Sequence, residues 1–295
     1  MRRVRLKIIG RLIVGISLVF CYTFKTEAQV NSTFEAALHF IQIGEIEEGI
    51  LFVSAPEKFG YRPLGTDTAA YLKGKFYYQR KRISESIHNL VQVGHKSPFH
   101  KESTFFLAYQ HAYLGDYVNA KESLRSIDDS DDNIEGHLKA YLQSGFSLLE
   151  RDIVSYEEII YDYDFSKFRV IAPSSEKLKA LKGLIIEQKE KSALGAGLLS
   201  AIVPGLGHMY VGNIGRGAMT LVITGIFGLQ AWESHKLDGL KSVRFAIFGS
   251  LFSGFYIANI YGSVIGVRLK KQQINDQINE SILVTMHVPL RYLFD

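Results

Sequence analysis

The sequence predicts an all-α protein in three parts: a signal peptide, a stack of α-helical hairpin repeats, and a C-terminal helical transmembrane bundle of two to three hydrophobic segments. Three observations predict it. A basic head precedes a short apolar run at the N-terminus, the middle repeats a helix-turn-helix pattern at nearly constant spacing, and the last third holds three long stretches without a formal charge. The expected boundaries are 1–28 for the signal peptide, 29–165 for the helical-repeat domain, 166–191 for a linker helix, 192–270 for the membrane domain and 271–295 for a C-terminal tail.

Arg2, Arg3, Arg5, Lys7 and Arg11 precede an uncharged run from Leu12 to Phe24, and Thr26, Glu27 and Ala28 follow. This is the layout of a secretory signal. The run has 13 residues, fewer than the roughly 20 that a bilayer crossing needs. Cleavage is expected after Ala28, with an uncleaved anchor as the alternative. Both send the following residues out of the cytoplasm, because the basic head stays inside. Cys21 is the only cysteine, so a chain cleaved there has no disulfide, thiolate metal site or cysteine nucleophile. Lipidation of Cys21 is opposed by the bulk of Phe20, where such signals resemble one another in carrying Gly or Ala.

Four segments then line up: "EAALHFIQIGEIEEGILFV" (35–53), "LKGKFYYQRKRISESIHNL" (72–90), "LAYQHAYLGDYVNAKESL" (107–124) and "LQSGFSLLERDIVSYEEII" (142–160). In each, an apolar helix-spaced stretch, a polar turn and a second such stretch follow one another. With Gly49, Ser86, Ala120 and Tyr156 as equivalent positions, the spacings are 37, 34 and 36 residues. Small residues let paired helices approach closely, and aromatic and leucine positions fill the groove between them. An irregular helical domain with pairs at about this spacing is the competing reading.

The third segment resembles a tetratricopeptide repeat through Leu107, Ala108, Gly115, Tyr117, Ala120 and Leu124. In the second, Gly74, Tyr77, Ile83, Ser86, Leu90 and the closing Pro98 fit the same template. The first and fourth depart from it, the fourth in having Tyr156 at the small position, as terminal repeats often do. The resemblance implies a protein-binding domain that lays a peptide segment along a concave face.

The sequence offers no catalytic constellation. It has 34 Lys and Arg against 30 Asp and Glu, a net charge of +4. The basic residues are scattered, so the clustered footprint of a nucleic-acid binder is missing. His88, His95, His100, His111 and His137 lack the HExxH spacing, and neither GxSxG nor GxxxxGK[ST] occurs. "DDSDDNIEG" (128–136) places Asn133 and Lys139 where a calcium loop needs Gly and Glu. It reads instead as a solvated loop that brings negative charge to a helix N-terminus. No enzyme activity, cofactor or metal is expected. The tyrosines and phenylalanines of "YDYDFSKF" (161–168) read as helix-interface fillers, with anchoring of a partner peptide as the alternative.

Pro173, Ser174 and Ser175 separate this domain from "EKLKALKGLIIEQKEK", where Leu178, Leu181 and Ile185 share one face. That helix is expected to be solvated, with a position on anionic headgroups as the alternative. The uncharged runs follow: Ser192–Gly215 with 24 residues, Gly217–Trp232 with 16 and Phe245–Val267 with 23. Their length and lack of charge argue for lipid. Within the first, "SAIVPGLGHMYVGNIGRG" (200–217) reads as a turn near a membrane face. Pro204 removes a backbone donor, Gly205, Gly207 and Gly212 permit positive φ, and His208 and Tyr210 suit interfacial depth. A phosphate cradle fits less well, because the spacing is not GxGxxG.

Pro204, Gly205, Gly207, His208, Tyr210 and Gly212 resemble the Pro-Gly-x-Gly-x-x-Tyr-x-Gly segment of small bacterial membrane domains of uncharacterised function, over roughly residues 190–270. The resemblance implies membrane placement and no activity. In the last span, Ala258, Gly262 and Gly266 form a face of small residues four apart, for packing within the bundle or between copies in a homo-oligomer. Asn259 and Tyr261 are expected to hydrogen-bond across the bundle. Lys236, Lys241 and Arg244 favour two crossings, whereas Arg268, Lys270 and Lys271 favour three; the proline break favours two. The final "SILVTMHVPLRYLFD" alternates and is expected to be a short strand. The order of parts predicts a protein of the bacterial inner membrane, embedded in the lipid bilayer with its repeats in the periplasm. It would act as a scaffold or assembly factor for an unknown envelope protein. The alternative makes the bundle an oligomeric pore or transport accessory regulated by the repeats.

Overall fold

The computed structural model describes residues 32–129, 132–188 and 191–294; the expected signal peptide, its cleavage site and Cys21 lie outside them. Among the described residues the regular structure is all helical, without a strand. Two compact units form, one from the chain up to Glu176 together with Leu283–Asp295, the other from Lys177–Ile282.

In the first unit the helices come in consecutive pairs. These are α1 (32–43) with α2 (Ile46–Ser54), α3 (Thr66–Gln79) with α4 (Ile83–Leu90), α5 (His100–Tyr113) with α6 (Tyr117–Ser123), and α7 (Ile134–Glu150) with α8 (Ile153–Asp162). Each pair reverses at a left-handed residue two positions ahead of its second helix: Gly44 (φ 79°), Lys81 (58°), Gly115 (79°) and Arg151 (64°). Glycine adopts this conformation freely, while a side chain there costs about 1–2 kcal/mol. The fourth residue of each second helix, Gly49, Ser86, Ala120 or Tyr156, is buried. At the first two, the neighbouring helix leaves little room. A Cβ on Gly49 would fall 2.2 Å from Phe76 Cε1, and Ser86 Oγ donates to the Gly74 carbonyl at 2.8 Å.

Among the template positions, Ala108 and Leu124 are fully buried, and Gly74 is packed so that a Cβ would meet Leu90 Cδ2 at 2.4 Å. Leu107 and Tyr117 are half-buried. Tyr77 does not fill the interface as expected: it lies half-buried under the Arg82 guanidinium, 4.9 Å away, while the adjacent Phe76 is fully buried. In a run of three aromatics, a 100° step per residue decides which ring points inward, and the register is set by packing.

The C-terminal segment is helical. Residues expected as a strand end α13 (Val243–Phe294). A short apolar run satisfies both periods, and Met286 and Leu290, one turn apart, are both 0% exposed.

In the second unit, α9 (Ala172–Glu187) leads from the first unit, and α10 (Ala193–Ile202), α11 (Leu206–Val211), α12 (Ile214–Asp238) and the first part of α13 follow. Helices α12 and α13 are long and apolar enough to cross a membrane, and their most apolar stretches are only 17% and 6% buried. A soluble core helix would be mostly buried. Helix α10, with 10 residues, spans about 15 Å, half of the roughly 30 Å hydrocarbon core.

Candidate functional site

Two places bring chemistry-bearing residues together, one in each unit. In the second unit it is the break between α10 and α11. Pro204 ends α10, and Gly205 (φ 93°) and Gly212 (φ 104°) are left-handed at the two ends of α11. Gly207 is not: it is glycine for closeness, because a Cβ would fall 2.1 Å from the Ala196 carbonyl oxygen and 2.3 Å from Ser200 Oγ. Gly205 is constrained twice, since a Cβ would also meet the Gly217 carbonyl oxygen at 2.1 Å.

The polar groups that the break exposes are held by α13. Asn259, 3% exposed, accepts from the Gly205 N–H at 3.0 Å and donates to the Ser200 carbonyl at 3.1 Å. Ser263 Oγ reaches the Ala196 carbonyl at 3.2 Å, and the Tyr256 hydroxyl donates to the Ala201 carbonyl. Ser200 Oγ accepts from the Gly207 N–H at 3.1 Å. Residues 256, 259 and 263 share one helix face. A buried backbone group left without a partner costs about 1–3 kcal/mol, so this polar stripe satisfies the groups that the break releases.

Several expected positions differ. His208 is buried within the bundle, and its Nδ1 has no hydrogen-bond partner. Its ring fits over Gly262, where a Cβ would approach His208 Cε1 to 3.3 Å. Tyr210 is partly exposed; its hydroxyl accepts from the Ser192 N–H at 3.2 Å, and Lys191 Nζ sits 5.4 Å from its ring and donates to its carbonyl. Ala258 is exposed in the single chain, so the packing within the bundle does not run through it. The packed positions are Asn259, Gly262 and Ser263, whereas a Cβ on Gly266 would meet nothing within 4 Å. Tyr261 is 67% exposed, and Tyr256 makes the bond expected of it. Spacing by four drifts around the helix, and only the neighbour's position selects the contacting stripe.

The second place is in the first unit, where α3, α5 and α7, the first helices of three successive pairs, line one face. The end of α13 lies on it. Met286 and Leu290 are fully buried, and a Cβ on Gly145 of α7 would strike Met286 Sδ at 2.3 Å. His287 Nε2 is 2.6 Å from the Tyr78 hydroxyl, and its ring stacks on Tyr109 at 5.0 Å. Phe294 stacks on Phe105 at 5.7 Å, and its carbonyl accepts from Lys75 Nζ at 3.0 Å, a cation also paired with Glu102 at 3.2 Å. A cavity of about 570 Å³ remains beside this helix, lined in part by Tyr71, Tyr109, Gln110, His287 and Arg291. Gln110 is fully buried, and neither atom of its carboxamide has a hydrogen-bond partner.

No periodicity or motif in the sequence marks this face. Pro289, interrupting an apolar C-terminal stretch, was the available signal. Elsewhere the candidates have structural employment. Asn133 caps α7 by accepting from the Gly136 N–H at 2.7 Å, and Asp129 pairs with the buried Lys139 at 2.7 Å. His95 and His100 bond each other at 3.0 Å. Among the described residues no group of three or more His, Cys, Asp or Glu is placed to hold a metal.

No family model matches the chain, and no solved structure matches it. An uncharacterised protein of Methanocaldococcus jannaschii, MJ1516, is 40% identical over 58 residues, 20% of this chain and 57% of that protein. The chain thus spans a little over half the length of this curated relative.

Proposed function

We propose that this chain is a membrane-anchored scaffold or assembly factor of the bacterial envelope. Its helical pairs, tetratricopeptide-like, bind a partner protein, and its C-terminal bundle holds them at the inner membrane. The single observation that carries the reading is the face of α3, α5 and α7, which already seats a helix through buried apolar, aromatic and hydrogen-bonded contacts. The left-handed turns and the buried fourth positions recur at the same spacings as the sequence pattern and support the repeat interpretation.

Two crossings, by α12 and the first part of α13, fit the rest of the chain. Residues 283–294 fold into the same unit as residues 32–176, which supports a membrane region whose two ends emerge on one side. An even number of crossings does this and three do not. In the broken hairpin of α10 and α11, held by Asn259, an extra crossing is replaced by an inserted element. The N-terminal signal favours the periplasm for the repeats. Crosslinking in intact membranes followed by pull-down should recover a specific envelope partner, and repeated recovery of none refutes the scaffold.

One observation favours a second orientation. Lys191, Arg216, Arg268, Lys270 and Lys271 flank the repeat side, against Lys236, Lys241 and Arg244 at the far turn, the bias of a cytoplasmic face. Protease accessibility in spheroplasts, with tags in 125–135 and at the C-terminus, separates the two orientations. Both tags should respond together; opposite responses refute the two-crossing arrangement. The buried, unpartnered Nδ1 of His208 favours the pore or transport-accessory reading; solute flux through reconstituted protein, lost on changing Gly207 or Asn259, would establish it.

A further inference from the structure

The docked end of α13 contains a proline. Pro289 lies inside the helix, where it has no N–H to give the carbonyl four residues earlier, that of Thr285. The Tyr141 hydroxyl of α7 donates to that same carbonyl at 2.9 Å, across 144 residues of sequence. Tyr141 is fully buried, so the donor is held in place. The groove therefore supplies, from its own floor, a donor that the proline withdraws from the ligand. An interior proline removes one helical hydrogen bond and crowds the preceding turn, so residues 283–294 draw on the groove for their helical form. The fit is also incomplete: the cavity of about 570 Å³ beside His287 and the unpartnered Gln110 carboxamide within its lining are left unfilled.

We propose that the face of α3, α5 and α7 is a receptor for a proline-interrupted amphipathic helix, that residues 283–294 are its resident occupant, and that a partner protein binds by presenting a helix of the same kind and displacing them. Two apolar residues one turn apart fill the places of Met286 and Leu290. A proline three residues after the first of them turns a carbonyl toward Tyr141, and a polar side chain that reaches Gln110 gives the incomer an advantage over the resident. The inference deepens the scaffold reading and rests on it for the existence of a partner.

The test uses the full chain in detergent or nanodiscs and a fluorescent synthetic peptide of residues 281–295 as probe. Met286→Asp in the chain releases the resident helix and leaves the receptor face unaltered, so the peptide should bind this variant at least about tenfold more tightly than the wild type, whose own tail competes at an effective concentration of about millimolar. In the Met286→Asp background, Tyr141→Phe should weaken the parent peptide about tenfold, the upper range for one neutral hydrogen bond. It should weaken a Pro289→Ala peptide, which regains its own helical donor, by less than about twofold. That double-mutant coupling is absent if Tyr141 serves only packing. Equal binding to wild-type and Met286→Asp chains, or equal losses for the two peptides, overturns the proposal. Hydrogen exchange on the wild-type chain gives an answer that depends on no variant: amides of 283–294 should exchange well before those of α7, and equal protection overturns a displaceable tail. Peptide exchange without any partner recovered by crosslinking would leave the receptor standing and remove the scaffold reading.

Discussion

Replacing Asn259 tests whether the break at Pro204 is held by the side chain that touches it. Asn259→Leu keeps the volume and removes both the acceptor of the Gly205 N–H and the donor to the Ser200 carbonyl. Side-chain hydrogen bonds between membrane helices average about 0.6 kcal/mol and reach about 1.7, so simple loss of two amounts to about 1–3 kcal/mol. Leaving a buried backbone donor and acceptor without partners costs about 1–3 kcal/mol each. The Gly205 N–H cannot return to a helical partner, because Gly205 is left-handed and follows a proline. The loss should therefore lie near 2–4 kcal/mol. The assay is reversible unfolding in mixed micelles titrated with SDS and followed by far-ultraviolet circular dichroism, with limited proteolysis at 203–206 as a local readout. A variant within about 0.5 kcal/mol of wild type, with unchanged cleavage, would show that the break is satisfied elsewhere and would refute the role given to α13.

Gly207→Ala should destabilise the same element by more than about 2 kcal/mol in that assay, because the new Cβ would land 2.1 Å from the Ala196 carbonyl oxygen; Gly225→Ala, with open space at that position, should be neutral or slightly stabilising. Lys81→Gly should stabilise the first unit by up to about 1 kcal/mol in thermal melts, since a lysine at φ 58° occupies a conformation that glycine adopts freely. Burial raises the Tyr109 phenol, helped by Tyr113 and opposed by the Tyr78 hydrogen bond, to about 12, and burial raises Tyr156 to about 12 with help from Glu157 and Glu176. The unfolded phenol titrates near 10, so between about pH 10 and 12 the native state holds protons that the unfolded state has lost. Stability should be complete below pH 10 and fall through that window, by up to about 2–3 kcal/mol for Tyr109. Melts across the range, with tyrosinate absorbance, check this, and a flat profile contradicts it.

Some of this was readable in the sequence because its cause is local. The spacings of 37, 34 and 36 residues between Gly49, Ser86, Ala120 and Tyr156 mark positions that recur in the structure as the fourth residue of each second helix. Pro204 with Gly205 and Gly212 announces a broken helix, since proline withholds a donor and glycine takes positive φ wherever they occur. Length without charge likewise marks α12 and α13. The turns at Lys81 and Arg151 were not legible as left-handed, because nothing in those side chains favours it; the closure of the pair imposes it.

By itself, then, the sequence determined a largely helical chain, the succession of helix-turn-helix pairs, the place of the break and apolar stretches of spanning length, all properties of neighbouring residues. Tertiary structure alone decided which ring of Phe76, Tyr77 and Tyr78 enters the core, which stripe of α13 braces the break, and that the C-terminal residues form a helix seated on α3, α5 and α7. Asn259 finds its partners 54 and 59 residues away and Tyr141 finds Thr285 at 144. A hydrogen bond is a condition on distance and angle in space, and at such separations no local pattern encodes it.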